Sequence, residues 1–344
     1  MTLRNVLFVV SILGAASVAY AQSAFFGAAS GITITTTPEH PGANAHVHLA
    51  AASPAINLDR SDITWYADNA AIAQGAGVKE ADIITGPLGS ETRVLVVAQS
   101  ADGTSVSGEA FIRPTEVDLL WESDSYVPPL YRGRALPSAG GALRVEAVAR
   151  FETPDGAAVP DSDIIYTWRR NGSVQQSESG RGKSSAILPA PALFGTDTIS
   201  VDAVSADGAL SGSASASVPS TEPLLMLYED HPLYGLMMHQ ALLAQTSISD
   251  SEMAFAAVPY FAPVQSPNDP RLNYAWQVNG TNVPPDGTQP NEITINADKS
   301  NGLAQVALAL TRAADWSMNA KGVWSISFSA AGIAPGADPF RTTQ

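Results

Sequence analysis

The chain has 344 residues, enough for two to four domains of about 100–150 residues each. Its 33 acidic against 18 basic residues leave a net charge of −15, which works against binding a nucleic-acid backbone. Cysteine is absent, which excludes disulfides, thiolate metal sites, cysteine nucleophiles and cysteine-linked lipid.

Residues 1–21 read as an export signal peptide. Arg4 precedes an uncharged apolar run from Val6 to Ala16, and Ala19-Tyr20-Ala21 forms a small-x-small cleavage site before Gln22. The run is too short for a comfortable membrane span, and nothing after Gln22 approaches 18 consecutive apolar residues. The mature chain is therefore expected to be exported, with no membrane span.

Alternating apolar and β-rich runs then predict strands in three successive sets. The first set lies within 22–115, at 32–37, 45–52, 63–69, 92–100 and 106–114. The second lies within 116–220, at 117–122, 143–151, 164–172, 197–205 and 210–219. The third lies within 221–333, at 224–229, 252–261, 273–280, 303–312 and 323–330, and is followed by a polar tail at 334–344. Shorter runs at 186–191 and 292–297 are expected to supply middle strands. The apolar segment 233–245 reads as an extended connection; its Met237, Met238 and Leu242 could form an adhesive patch, but a buried contact between domains is the favoured reading.

The three sets are copies of one another. Trp65, Trp168 and Trp276 recur at intervals of 103 and 108 residues, each followed by a polar turn. Ser100-Ala101-Asp102-Gly103 returns as Ser205-Ala206-Asp207-Gly208, and Arg312-Ala313-Ala314-Asp315 takes its place in the third copy. The second and third copies open alike, with Trp121-Glu122 then Pro129-Leu130-Tyr131, and Tyr228-Glu229 then Pro232-Leu233-Tyr234. The Asp-Gly pairs are expected to close hairpins through positive φ angles. Short antiparallel strands with a tryptophan on the third predict an all-β chain of three tandem immunoglobulin-like β-sandwich domains after the signal peptide. In that arrangement Trp65, Trp168 and Trp276 are core residues.

The tryptophan strand, its polar turn and the Asp-Gly hairpin resemble the PKD-like and bacterial immunoglobulin-like repeats of surface proteins, over nearly all of the mature chain. Where the PKD signature has Trp-x-Phe-Gly-Asp-Gly, this chain has WYADN, WRRNG and WQVNG, so the resemblance implies the sandwich fold. The aromatic-Glu and Pro-Leu-Tyr junctions are similar to those of exported bacterial proteins that accompany type IV pili, which implies envelope proteins as partners.

Candidate chemistry is sparse. His46 and His48 share one face of a predicted strand, and with His40 could form a metal site. The competing reading makes them the solvated side of a strand that buries Val47 and Leu49. Asp59 with Asp62, Asp161 with Asp163, and Asp269 precede the tryptophan strands, where carboxylates can hold calcium or simply form turns. Glu122 with Asp124 and Glu229 with Asp230 could be paired catalytic carboxylates, yet their repetition at both junctions favours a duplicated linker. Asn171 and Asn279 match the glycosylation sequon, but read better as Asn-Gly turns. No catalytic, cofactor or metal residue is assigned, and no nucleophile elbow, zinc-protease helix or phosphate loop occurs.

The expected function is therefore that of a non-catalytic, exported interaction protein. It would be a semi-rigid array at the periplasm, cell surface or outside the cell, binding envelope proteins of pilus or secretion type. The alternative is a carbohydrate-binding array. That reading needs exposed aromatics, for which Trp316 and Trp324 are the tryptophans left unassigned.

Overall fold

A computed structural model describes residues 31–129, 131–248, 252–296, 302–313 and 315–328; the signal segment and the polar tail lie outside them. The chain divides into two compact units. The first contains the described part of Met1–Glu39 with Ala45–Thr85 and Glu91–Ile112; the second contains His40–Asn44, Gly86–Ser90 and the chain from Arg113 onward.

The first unit is one sandwich. In chain order its strands are β1 (Thr33–Thr37), β2 (His46–Ala52), β3 (Asp62–Ala67), β4 (Ala70–Ala76), β5 (Glu80–Ile84), β6 (Thr92–Gln99) and β7 (Ser105–Ile112). A sheet ordered β1-β2-β5 faces one ordered β4-β3-β6-β7, with every neighbouring pair antiparallel. Alternation decides the faces: in β2, Val47 and Leu49 are fully buried while His46 and His48 point outward. Ile34, Ile63, Trp65, Val94 and Val96 complete the core.

The second unit holds two sandwiches. One comprises β8 (Glu116–Ser123), β9 (Ala142–Arg150), β10 (Ile164–Arg170), β11 (Ser173–Val174), β12 (Gly180–Arg181), β13 (Ser185–Pro189), β14 (Thr196–Ser205) and β15 (Ser211–Pro219). Its sheets run β13-β9-β8 and β11-β10-β14-β15, with β12 also pairing β10. The other comprises β16 (Leu224–His231), β17 (Gly235–Ala241), β18 (Gln245–Ile248), β19 (Glu252–Tyr260), β20 (Leu272–Val278), β21 (Thr281–Val283), β22 (Glu292–Asn296), β23 (Gly302–Arg312) and β24 (Asp315–Phe328). Its sheets run β17-β16-β19-β22 and β18-β24-β23-β20-β21, and β18 joins β24 in parallel. The all-β fold of tandem sandwiches expected from the sequence is thus what the chain adopts.

The tryptophans anchor each core in one repeated way. Trp65 and Trp168 are fully buried and Trp276 is 1% exposed. Each indole donates its Nε1–H to a backbone carbonyl across the sandwich: Trp65 to Val78 O at 2.9 Å, Trp168 to Lys183 O at 2.9 Å, and Trp276 to Pro290 O at 3.0 Å. Burying an indole removes about 200 Å² from water, worth about 5 kcal/mol of gross transfer free energy, and the hydrogen bond removes the penalty of a buried donor.

The polar turn after each tryptophan is equally constant. Asp68-Asn69 and the residue pairs beginning at Asn171 and Asn279 all take positive φ, the requirement of a two-residue hairpin turn. The first residue's backbone N–H donates to a carbonyl of the neighbouring strand while its side-chain Oδ1 accepts the N–H of that same residue. The partners are Arg93, Thr198 and Gln305, at 2.8–2.9 Å. Asn171 and Asn279 are thus turn formers.

Two expectations need correction. In the Asp-Gly hairpins only the glycine is left-handed: Gly103 has φ 89° and Gly208 φ 73°. Gly103 N–H donates to Ser100 O and Asp102 Oδ1 accepts from Thr104 N–H, so the loop is a right-handed turn closed by a bulging glycine. The last strand begins eight residues earlier than alternation suggested, because β24 pairs back along β23 from Asp315, across a register shift at Thr311/Arg312.

Candidate interaction surface

The connection from β8 to β9, residues 124–141, is rich in proline and glycine, and its described residues form no strand. Proline lacks an N–H and fixes φ, so a ladder cannot pass through Pro128, Pro129 and Pro137. This connection seats on the third sandwich at the end of β19. Tyr126 N–H donates to Ala262 O at 2.8 Å, and Phe261 N–H donates to Tyr126 O at 2.7 Å. Ser138, 1% exposed, donates from Oγ to Phe261 O at 2.6 Å. Tyr131 meets Tyr260 and Phe261 edge-on, with ring centroids 5.7 and 5.9 Å apart, a favoured aromatic geometry. Tyr126 also packs against the core of the third sandwich. Burial pushes the Tyr126 hydroxyl pKa up; burial, then the hydrogen bond to Tyr228, do the same for Tyr260.

The corresponding connection in the third sandwich behaves differently. Pro232-Leu233-Tyr234-Gly235 turns the chain and β17 folds back on β16 as the edge of its sheet. Gly235 takes φ 68° at this turn, a left-handed conformation that disfavours a side chain. Leu233 is 82% exposed, Tyr234 75% and Leu243 73%, and Tyr234 stacks only on His231, at 4.7 Å. No charged residue falls between Leu233 and Gln245. The arrangement is an outward-facing apolar arm on an edge strand, a surface suited to protein contact.

The residues singled out from the sequence fall elsewhere. His46 is exposed, and His48 lies 3.0 Å from Asp82 in an exposed pair; both belong to the first unit, whereas His40 belongs to the second. Asp59 pairs with Lys79 at 2.8 Å, Asp161 accepts from the Tyr166 hydroxyl at 2.6 Å, and Asp163 pairs with Arg181. Asp62 is an exposed residue opening β3. The Arg271 guanidinium grips Asp269 at 2.6 and 2.9 Å and pulls that carboxyl pKa down to about 2. Among the described residues, no three histidines or carboxylates converge as metal ligands would. Glu122 pairs with Arg144 at 3.3 Å, and Asp124 accepts the Ala142 N–H at 2.7 Å. Glu229 and Asp230 are consecutive, half-buried residues of β16 at a register shift in its ladder with β17.

One cleft of about 240 Å³ in the second unit is lined by His40, Thr115, Glu116, Val117, Asp118, Gly212 and Ser213. Beside it Ser211 Oγ lies 3.2 Å from His40 Nδ1. An acylating serine also needs a carboxylate to orient the ring and convergent N–H donors. Here Glu116 and Asp118 are committed to Arg150, at 3.5 and 2.7 Å. The cleft is a polar seam held by an ion-pair network.

Of the aromatic residues around the two junctions, Tyr126 and Tyr131 contact the following sandwich, while Tyr228 is buried in its own sandwich and Tyr234 is exposed. Trp121 stays on its own sandwich with the Arg134 guanidinium 4.3 Å above its ring. Leu242 packs against the core of its own sandwich, and Met237 and Met238 are half-buried on β17. Trp324 is 6% exposed within the third core, so it cannot be a binding platform; the side chain of Trp316 lies outside the described residues. The sequence marked segment 233–245 as a candidate adhesive patch, but at Met237, Met238 and Leu242; the exposed apolar residues are instead Leu233, Tyr234 and Leu243.

No family model and no curated protein matches the chain. Solved structures do. Fibronectin(III)-like modules of Clostridium thermocellum CbhA share 16% identity over 55% of this chain and 94% of theirs, with a TM-score of 0.27. The three N-terminal domains of the bacteriophage RB49 outer capsid protein Hoc share 13% over 89% and 99%, with a TM-score of 0.25. The central fibronectin-III array of RIM-binding protein shares 13% over 88% and 98%, with a TM-score of 0.28. The chain is similar to these in being a series of β-sandwich modules. Among the described residues no helix is long and apolar enough to cross a membrane.

Proposed function

We propose that this chain is a non-catalytic, exported protein of the cell envelope or surface that binds other proteins, of pilus or secretion type, through its third sandwich. The observation that carries this reading is the arm at Leu233, Tyr234 and Leu243, whose apolar surface faces water on a rigid scaffold. The carboxylates that might have done chemistry support it from the other side, because Glu116, Glu122, Asp163 and Asp269 serve ion pairs that hold the fold. Fractionation and formaldehyde cross-linking of cells producing the full chain test the proposal. The chain should occur outside the cytoplasm in protein adducts, and the Leu233→Ser/Tyr234→Ser double variant should lose most of them. A cytoplasmic location, adducts unaffected by the variant, or turnover of a hydrolase substrate would contradict it. Micromolar glycan binding would replace it with the carbohydrate-binding alternative.

A further inference from the structure

The second and third copies carry the same Pro-Leu-Tyr motif at the same place in the sandwich, just after the first strand. In the second copy the motif's tyrosine, Tyr131, rests on Tyr260 and Phe261 at the end of β19 of the following sandwich, and the same connection exchanges two backbone hydrogen bonds with that strand end. In the third copy the motif's tyrosine, Tyr234, is 75% exposed, and Leu233 beside it 82%. One copy of the element therefore shows, within this molecule, what the other is built to hold.

We infer that the arm Leu233–Leu243 docks a further β-sandwich module carried by another polypeptide, seated as the third sandwich is seated on the connection of the second. The inference rests on the protein-binding reading above and names the kind of partner. A second copy of these three sandwiches is not the occupant, because among the described residues none of them offers a free receiving surface. That surface is an aromatic pair at the end of the strand that pairs with the sandwich's first strand in the sheet order (β2, β9 and β19 in the three sandwiches), with its backbone accessible. In the first sandwich β2 ends in Ala52-Ser53, without an aromatic ring. In the second, β9 is followed by Phe151, which is 1% exposed and belongs to the core. In the third, Tyr260 and Phe261 already hold Tyr131. The arm also supplies both kinds of contact seen at the existing junction. Tyr234 provides the ring, and β17 provides an edge to which a strand end can add backbone hydrogen bonds. The lack of charge between Leu233 and Gln245, in a chain of net charge −15, spares the partner any repulsion at the contact.

The test is site-specific photo-cross-linking with the full chain in its own cells. A benzophenone amino acid replaces Tyr234 in one variant and Phe194, exposed on the second sandwich, in another, and the cross-linked peptides are sequenced. The expected adduct at 234 joins another polypeptide within a β-sandwich module, at or just after the strand that pairs with its first strand, near an aromatic residue. Adding Leu243→Ser should reduce that adduct at least fivefold while the melting temperature stays within 2 °C. Adducts at 234 confined to copies of this chain, to lipid or glycan, or scattered over unrelated folds would overturn the inference, as would none at all. Protein adducts at 234 that fall on folds other than a β-sandwich defeat this inference and leave the protein-binding reading standing; no protein adduct at 234 defeats both, whatever 194 gives.

Discussion

The two connections that follow the first strands of the second and third sandwiches start from one motif and end in opposite states. The described residues of 124–141 form an irregular strap whose Ser138 is buried and Tyr126 half-buried against the next sandwich, with Tyr131, 37% exposed, resting edge-on against it. Residues 232–244 form a hairpin arm whose Leu233, Tyr234 and Leu243 face solvent. Local chemistry separates their shapes. Three prolines and Gly133, Gly140 and Gly141 keep the strap out of any ladder, whereas Leu-Met-Met-His-Gln after a glycine turn pairs readily as a strand. Their burial is set by whether a receiving strand end lies opposite. An exposed aromatic here is thus better understood as half of a known contact than as an isolated surface feature.

Substitutions can break that comparison, and the tryptophans would do so most severely. Trp168→Ala and Trp276→Ala should each cost about 3–5 kcal/mol, from the cavity and the lost carbonyl partner. Because the strap joins the two sandwiches, either change should lower the denaturation midpoint of both together in guanidinium titrations. Tyr131→Ala should cost about 1–2 kcal/mol, the worth of two edge-on ring contacts with some area, and should split the shared transition into two. Tyr234→Ala should leave stability within about 0.5 kcal/mol, as surface changes do, while removing the binding.

Ser138→Ala should cost about 1–2 kcal/mol by leaving the Phe261 carbonyl without its buried donor, and hydrogen exchange at the strap would report it. A further effect concerns pH. Asp269 is held near pKa 2 by Arg271, below its ordinary unfolded value near 4. Its contribution is therefore complete above pH 4 and is lost as pH falls from about 4 through 2. Discounted for the exposure of Arg271, it amounts to about 1 kcal/mol. Melting curves of Asp269→Asn should match those of the parent at pH 2 and lie below them at pH 6.

Much of this architecture was legible in the residues themselves. The periodicity of β2, β6, β9 and β14 is strict because each buries one face, and the three tryptophans marked the same strand in every copy. The short or Ala- and Gly-rich strands β4, β11, β12 and β21 carry no such alternation and are stabilised by their neighbours' ladders. The candidate surface was half legible. The Pro-Leu-Tyr motif stood out, but its two fates depend on contacts between residues more than 100 positions apart, such as Ser138 with Phe261, which no local pattern encodes.

Amide hydrogen exchange on both connections tests the comparison most directly. The N–H groups of Tyr126 and Phe261, which bond across the strap, should exchange as slowly as those of β14 and β23, and that of Tyr234, at the tip of the arm's turn, within seconds. Rapid exchange at Tyr126 and Phe261 would mean that the strap does not hold the two sandwiches together, and would contradict the account.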